Sequence, residues 1–463
     1  MTDDLRASDL ACTRRSLLHA AGAGGVAALI GGLAGVGLSA VDALPADAAA
    51  TDYRALVCVF LFGGNDGFNM LVPTDAAGYA AYAQARDNLA VDRSSLVPVR
   101  ASSTPDVGLH PSLAPLAPLF HAGRLGIVAN VGSLMAPTTK ADYQARRNLP
   151  QALFSHSDQQ TEWMVGSNDG APIGWAGRLA DLMTPAGARG LSMNISLAGT
   201  NLFESGAVVA PYSLGPQGGI DFATLANPKR AALVTQNWAR AAAGGDPFQS
   251  YLGTRYAAAR DLAAHVTAVL KSTAPPTTTF PRSSLGRQLA EVATMIRARH
   301  AFGARRQIFF VSMGGFDTHT GQVAAQPKLF ADLAASLAAF HAATAELGVA
   351  RNVTTFTHSD FGRTLTSNGA GSDHAWGSHH LVLGGAVRGG HIYGELPALA
   401  LGAPLEIGSG RFIPTTSVDS YAATLAHWFG ARPADVRTVF PRLGRFAHAD
   451  LGFLATPRPA RTR

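Results

Sequence analysis

The sequence predicts an α/β protein with a doubly wound, mostly parallel sheet and helices on both of its faces. Apolar runs at residues 54–61, 307–312 and 352–357 are typical of strands covered on both sides. Each run leads into a polar turn that contains glycine and carries Asp or His. Helical patterns separate the runs, and strands that alternate with helices form parallel sheets.

The remaining elements follow in chain order. A helix at residues 113–121 and a strand at 123–131 come after the first strand, and strand, helix and strand at this spacing predict a βαβ unit. A helix at residues 285–300 leads back to the sheet at residue 307. A short strand at residues 381–384 and a capped helix at 415–429 complete the pattern.

One segment is expected to be inserted into this domain. Two alanine-rich helices are predicted between residues 221 and 272, with Gly244-Gly245-Asp246-Pro247 between them, and a Thr/Pro-rich linker follows. We therefore expect residues 215–282 to form a helical cap or subdomain within one α/β domain of residues 51–455. The Pro/Arg-rich tail, residues 456–463, is typical of a disordered segment.

The first 50 residues have the pattern of a twin-arginine export signal. Thr13-Arg14-Arg15-Ser16-Leu17-Leu18 precedes a weakly hydrophobic, Gly/Ala-rich run at residues 20–41, and small residues suited to cleavage follow at 46–50. We expect an exported protein of the periplasm, cell envelope or extracellular space, without a transmembrane anchor after cleavage. The alternative is a retained anchor, since the run is about long enough to span a bilayer.

Composition excludes some partners. The chain of 463 residues is 47% hydrophobic and carries a formal charge of +6, which comes mostly from scattered Arg without a Lys/Arg-rich run. This pattern argues against nucleic-acid binding, while a mild basic excess suits anionic substrates. Cys58 lies in the first apolar run and is expected to be a small buried hydrophobe.

Three strand ends together predict a divalent metal site. The candidate ligands lie in Asp317-Thr318-His319, His358-Ser359-Asp360 and Asp373-His374 with His379-His380. The carboxyl ends of parallel strands meet at one edge of a sheet, where ligands bind, and carboxylate and imidazole are common metal ligands. The alternative is that these residues cap helices and turns. Asp66, after the first strand, fits two interpretations equally: a carboxylate presented at the sheet edge and an ordinary Asn-Asp-Gly turn.

A second cluster of reactive groups is Ser155-His156-Ser157-Asp158. Two hydroxyls, an imidazole and a carboxylate in four residues suit a place where a substrate group is attacked. The alternative is that Ser155 is the N-cap of a helix with Glu162 in its first turns.

These motifs in combination resemble the domain of unknown function 1501 family, over nearly the whole chain after the signal. The residues that carry the resemblance are Gly63-Gly64-Asn65-Asp66-Gly67, Ser155-His156 with Gln160 and Trp163, Gly315-Phe316-Asp317-Thr318-His319, Ser359-Asp360-Phe361-Gly362-Arg363-Thr364, and Asp373-His374 with Gly377 and His380. Members are exported bacterial proteins of the alkaline phosphatase and sulfatase superfamily. The resemblance therefore implies a doubly wound α/β sheet and a metal-centred site.

The resemblance also implies roles for single residues. The metal ligands would be Asp66, Asp317, His319, Asp360 and His374, with His379 or His380 as alternatives to His374. Phe361 stands where the superfamily has a further ligand, which implies one metal ion or a weakly held second one. Zn, Mn, Ca and Fe are not distinguished. The nucleophile would be Ser155 or Ser157, beside His156.

The expected function is an exported, metal-dependent hydrolase of phosphate or sulfate esters. Arg363 would stabilise the anionic substrate, or alternatively pair with Asp360. The rival function is a non-catalytic envelope protein that binds a carbohydrate or a protein partner, which the family's association with a second family of unknown function (1800) suggests. A redox enzyme with an organic cofactor has only the export signal in its favour.

Overall fold

The computed structural model describes residues 53–100, 106–166, 173–185, 190–215 and 227–455. Its strands, in chain order, are Arg54–Leu61 (β1), Leu71–Pro73 (β2), Val97–Val99 (β3), Val107–Leu109 (β4), Leu125–Gly132 (β5), Asn194–Ser196 (β6), Tyr212–Ser213 (β7), Arg306–Met313 (β8), Val353–Ser359 (β9), Ser378–Gly384 (β10), Ile392–Tyr393 (β11) and Thr416–Ser417 (β12).

The α-helices of the described residues lie between these strands and after them. They are Gly67–Met70 (α1), Ala76–Arg86 (α2), Ala117–His121 (α3), Lys140–Gln144 (α4), His156–Val165 (α5), Trp175–Met183 (α6), Pro228–Ala243 (α7), Pro247–Ser272 (α8), Ser284–Arg297 (α9), Gln322–Glu346 (α10), Val418–Phe429 (α11) and Pro433–Val439 (α12).

The central sheet is mostly parallel, as predicted. Within the described residues it has nine strands in the order β11-β5-β10-β9-β1-β8-β6-β7, with β12 beside β5. β1 pairs in parallel with β8 on one side and with β9 on the other, and β8 pairs in parallel with β6. β10 runs antiparallel to both of its neighbours. The carboxyl ends of β1, β8 and β9 therefore share one edge with the start of β10.

Helices cover both faces of the sheet, which confirms the doubly wound arrangement. Alternate residues of β1 point to opposite faces because side chains alternate along a strand. Val57 and Val59 belong to the buried cluster that includes α9 and α10. Leu56, Cys58 and Phe60 belong to the cluster that includes α6 and α11. Cys58 is fully buried, as expected.

The predicted βαβ unit differs in detail. A 3₁₀ turn, Pro111–Leu116, leads into α3, and β5 runs in the same direction as β1, but β9 and β10 lie between them. A small antiparallel sheet of β2, β4 and β3 precedes this turn and was not predicted. Each of its strands has three residues, which is too short for an alternating pattern to show in the sequence.

The helices α7 and α8 occupy the segment expected to be an insertion. The rings of Trp238 and Tyr256 stack at 5.3 Å between centroids and join the two helices. Val266 of α8 is buried in the main core, so α8 is fastened to the α/β domain. The bounds of the cap at residues 215 and 282 remain a prediction.

The predicted export signal, residues 1–50, and the tail, residues 456–463, lie outside the described residues. Among the helices that the structure describes, none has the length and hydrophobicity needed to cross a bilayer.

Candidate metal centre

The loops that follow β1, β8 and β9 meet at the carboxyl edge of the sheet. Gly63 allows this contact, because a Cβ atom there would lie 2.2 Å from the backbone nitrogen of Asp317, and its φ of +115° favours glycine. The Gly63 N–H donates to Oδ1 of Asp360 at 3.2 Å. Strand order thus brings Asp317 and Asp360 together at the edge where open α/β sheets bind ligands.

Asp317 lies in the middle of three imidazoles. Its Oδ1 is 3.5 Å from Nε2 of His156, 3.2 Å from Nε2 of His319 and 3.4 Å from Nε2 of His374. The imidazoles come from the first turn of α5, the loop after β8 and the segment before β10. All three direct the same ring nitrogen at one carboxylate oxygen. The Asp317 side chain is 48% exposed, so the group opens to solvent.

In each of the three imidazoles, the other ring nitrogen, Nδ1, lies within hydrogen-bond distance of an oxygen acceptor. The Nδ1···O distances are 2.6 Å from His156 to Asp360, 2.9 Å from His319 to Asp373, and 2.7 Å from His374 to the Phe154 carbonyl. Carbonyl and ionised carboxylate oxygens accept but do not donate. Each Nδ1 therefore carries a proton, and in the neutral form of each imidazole Nε2 is the nitrogen left to bind a metal ion.

This arrangement fits a divalent metal ion. Nε2 of His319 and Nε2 of His374 are 2.8 Å apart, a distance that either a shared proton or a bound cation accounts for. Ligand atoms of His156, Asp317 and His374 all lie within 4.8 Å of one another, a set that does not include His319. Metal-binding histidines typically donate the other ring N–H to a carboxylate or carbonyl, as these do.

Arg363 maintains the negative charge of Asp317. Its Nη1 donates to Oδ1 of Asp317 at 2.8 Å and to the Gly63 carbonyl at 3.1 Å. Burial raises the pKa of the Asp317 carboxyl, but the hydrogen bond from Arg363 and nearby positive charges outweigh it and hold the pKa below its usual value. Asp317 is therefore ionised and ready to bind a cation.

Arg363 does not occupy either of its two expected positions. Its side chain is fully buried and hydrogen-bonds to Asp317, Gly63 and the Ser372 carbonyl. It pairs with Asp317 instead of Asp360, and its burial keeps it from contacting a substrate. The guanidinium positions the carboxylate of Asp317 from behind.

His374 is kept neutral by its surroundings. Burial lowers the pKa of its imidazole, the charges of His156, Arg363 and His319 lower it further, and the hydrogen bond to the Phe154 carbonyl opposes them. The net pKa lies below the usual value. A neutral imidazole is the form that binds a metal ion.

Asp66, expected to be a ligand from the first strand, lies outside this centre. Its Oδ2 pairs with the buried Arg86 and accepts from Gln322 at 2.6 Å. Its Oδ1 accepts from the N–H groups of Phe68 and Asn69 and so caps α1. Protein donors occupy both oxygens, which is the turn-and-cap alternative noted from the sequence.

His380 also lies away from the centre. Its Nδ1 is 3.2 Å from Oγ1 of Thr357, and its ring centroid lies 4.6 Å from that of Trp163. Burial, with the charge of His379, lowers the pKa of His380 to about 3. His379 instead accepts from the Asn130 N–H at 3.0 Å. Of the three candidates His374, His379 and His380, His374 is the one that contacts Asp317.

Asp360 contacts the centre through His156. Its side chain is fully buried, and its Oδ2 accepts from Nδ1 of His156 and from Nε2 of Gln160 at 2.6 and 2.9 Å. Its Oδ1 accepts from the Gly63 N–H. We expected Asp360 to bind the metal directly, but the structure places it behind an imidazole.

The hydroxyls of Ser155 and Ser157 share one carboxylate. Oγ of Ser155 donates to Oδ2 of Asp158 at 2.6 Å, and Oγ of Ser157 donates to it at 3.3 Å. Ser155 has the N-cap position of α5, but its side chain makes no capping hydrogen bond. Ser155 is thus the N-cap residue by position, as in the alternative interpretation of the sequence, while its hydroxyl bonds to Asp158 instead of a backbone N–H.

Gln160 and Asp373 were recognisable in the sequence, but their contacts at the centre, and that of the Phe154 carbonyl, were not predicted. Gln160 lies four residues after His156, on the same helix face, and this spacing could have pointed to a shared partner. Asp373 is adjacent to His374 but serves His319. The Phe154 carbonyl leaves no sequence signal, since its direction depends on a backbone φ of +73°.

Some solved structures show a weak likeness to this chain. Ps i-CgsB in complex with k-i-k-neocarrahexaose has 11% identity and a TM-score of 0.34, over 86% of this chain and 77% of that one. PsFucS1 sulfatase from Pseudoalteromonas sp. has 12% identity and a TM-score of 0.30, over 80% and 71%. Phosphonate monoester hydrolase of Agrobacterium radiobacter has 13% identity and a TM-score of 0.27, over 89% and 79%. No function follows from a likeness of this size.

No curated protein matches the chain. A family model described as "Protein of unknown function (DUF1501)" matches residues 53–430, which include all residues of the centre. The chain therefore belongs to the DUF1501 family.

Proposed function

We propose that this protein is an exported, metal-dependent hydrolase of phosphate or sulfate esters, with an alkaline phosphatase/sulfatase-like site. One observation carries the metal: three Nε2 atoms converge on the Asp317 carboxylate while each Nδ1 is held by its own acceptor. Export rests on the pattern of residues 1–50, and the ester class rests on the family resemblance of the motifs.

The donor set favours particular metals. Imidazole nitrogens together with one carboxylate suit Zn²⁺, and they also suit Fe²⁺ or Mn²⁺. Ca²⁺ takes oxygen ligands and would find only one carboxylate among the four groups. We therefore favour Zn²⁺, Fe²⁺ or Mn²⁺ over Ca²⁺, a distinction that the sequence did not allow.

The bound ion and the side chains around it would have separate roles in hydrolysis. A bound divalent ion would polarise a phosphoryl or sulfuryl oxygen and make a neighbouring hydroxyl or water more acidic. Asp317 and His319 are 48% and 40% exposed, so a substrate can reach them from solvent. Arg363 holds the Asp317 carboxylate in place from the buried side.

Ser155 is the better nucleophile candidate of the two serines. It is half-buried and directly precedes the candidate ligand His156. Its hydroxyl donates at 2.6 Å to the Asp158 carboxylate, which could accept its proton. Ser157 is exposed, and its contact with Asp158 is longer, at 3.3 Å.

The rival proposal is a non-catalytic envelope protein that binds a carbohydrate or a protein partner. Phe361 favours it: its ring packs 4.9 Å from that of His156 and 4.6 Å from that of His374. An apolar ring therefore lies against the two imidazoles, at the position where the superfamily resemblance implies a ligand. Such a site could hold a structural metal without catalysis.

Metal content and hydrolysis together test the proposal. We expect one Zn, Fe or Mn per purified chain by mass spectrometry, and loss of that metal in Asp317→Ala. The control is Asp142→Ala, because that carboxylate pairs with Arg147 on the surface and should not affect the metal. Hydrolysis of aryl phosphates or aryl sulfates should disappear together with the metal.

Two outcomes would count against the proposal in different ways. A chain that stays metal-free when Zn²⁺, Fe²⁺ and Mn²⁺ are supplied would remove the metal centre altogether. A stoichiometric metal with no hydrolysis of either ester class would favour the binding role.

A further inference from the structure

The α5 helix contributes both a candidate ligand and a contact that controls it. His156 is its first residue and Gln160 lies one turn later, and both donate to the same oxygen, Oδ2 of Asp360. The Gly63 N–H holds the other oxygen at 3.2 Å. The Asp360 carboxylate is thus fixed by the β1 loop and by α5, and it orients the imidazole at the start of α5.

We infer that Asp360 and Gln160 are positioning residues for His156 and that Asp360 is not a metal ligand. This inference rests on the proposed metal centre and assigns Asp360 a role different from the one implied by the family resemblance. Asp360 keeps a proton of His156 on Nδ1, so that Nε2, on the side of Asp317, is the nitrogen left for the metal ion. Gln160 keeps Oδ2 of Asp360 in line with that Nδ1.

The contacts of Asp360 support this role. Its side chain is fully buried, and its three contacts are all with donors: an imidazole N–H, an amide N–H₂ and a backbone N–H. A carboxylate that binds a metal directly would need an oxygen facing the cation. In contrast, Asp317 is half-exposed, and the three Nε2 atoms surround its Oδ1.

A positioning residue and a ligand respond differently to substitution. Removing a partner that orients a metal-binding histidine typically weakens metal affinity about 10–100-fold, while the ligand set remains complete at saturation. Removing a ligand changes the coordination sphere itself. Affinity and coordination must therefore be measured separately.

The experiment uses the full chain and Zn²⁺ or Co²⁺ alone. Competition with a chelating dye measures Zn²⁺ affinity, and the visible absorption of bound Co²⁺ reports the ligand set. For Asp360→Asn and Gln160→Ala we expect about 10–100-fold weaker Zn²⁺ binding, one ion per chain at saturation, and unchanged Co²⁺ bands. Thr161→Ala is the control, because it lies on the exposed face of α5 and should leave affinity unchanged.

Each other result has a defined meaning. The positioning role would be overturned if Asp360→Asn and Gln160→Ala bound Zn²⁺ as tightly as the wild type. It would also be overturned if Asp360→Asn altered the Co²⁺ bands and lost the one-to-one stoichiometry. If Asp360→Asn does not fold, judged by the melting of the metal-free protein, Gln160→Ala decides alone. A wild-type chain that binds neither ion would instead refute the proposed function, a result distinct from either of these.

Discussion

At the scale of single residues, the centre depends on histidines whose Nδ1 hydrogen bond fixes the direction of Nε2. His156, His319 and His374 each face Asp317 because a different acceptor holds the opposite ring nitrogen. Glycines make the same centre possible by leaving room. A Cβ atom on Gly64 would lie 2.6 Å from the Phe361 ring, at a φ of +90°.

We therefore predict that Gly64→Ala destabilises the protein by about 1–3 kcal/mol, through backbone strain and the clash with Phe361. Chemical denaturation measures the change. Gly402→Ala is the matched control, because Gly402 has a φ of +79° and nothing within 4 Å of an added Cβ. Its cost should be the strain alone. Equal costs for the two variants would show that the Phe361 contact does not matter.

At the scale of elements, a buried ion pair fastens α2 to two loops. Arg86 at the end of α2 pairs with Asp66 after β1 and donates to the Thr364 carbonyl at 2.9 Å, four residues after Asp360. The carboxylate expected to bind a metal thus holds the loops that present the metal centre. Its role is one of support.

Arg86→Ala should lower the free energy of unfolding by about 3–5 kcal/mol, because it leaves the Asp66 carboxylate buried without its cation. Urea denaturation measures this value. The control Arg147→Ala removes an exposed partner of Asp142 and should change stability by less than about 1 kcal/mol. A cost for Arg86→Ala no larger than the control's would contradict a supporting role for the pair.

At the scale of the whole molecule, stability should depend on pH through a fully buried carboxyl group. Glu204 is fully buried, and Asn201 donates to its Oε2 at 2.8 Å. Burial raises the pKa of Glu204 to about 8, although hydrogen bonds from Asn201 and the Ile195 backbone oppose the rise. The folded chain therefore keeps this proton over a pH range in which the unfolded chain has lost it.

The direction of this pH dependence follows from the number of protons that each state binds. Between the ordinary Glu pKa of 4.5 and about 8, the folded state binds more protons than the unfolded state, so stability falls as pH rises. Glu204 contributes a slope of up to about 1.4 kcal/mol per pH unit in this range. Melting curves from pH 5 to 8 should show this slope in the wild type and a smaller one in Glu204→Gln. Equal slopes would show that Glu204 is ionised in the folded protein.

The sequence by itself determined the sheet and the region of the site. Continuous apolar runs such as residues 54–61 are recognisable because a strand buried on both faces has few polar residues, and parallel order follows from the intervening helices. Asp317, His319 and His374 were also recognisable, since they flank such strands. The three-residue strands β2, β3 and β4 carried too short a pattern to be recognised.

Only the tertiary structure decided which of the Asp and His residues act together. Asp66 and Asp360 both follow strands that end at this edge of the sheet, yet Arg86 pairs with one carboxylate and His156 with the other. That choice depends on side chains which lie 20 and 204 residues away in the chain. Local sequence describes the groups near a strand end, whereas the packing of distant helices determines which hydrogen-bond donor reaches each oxygen.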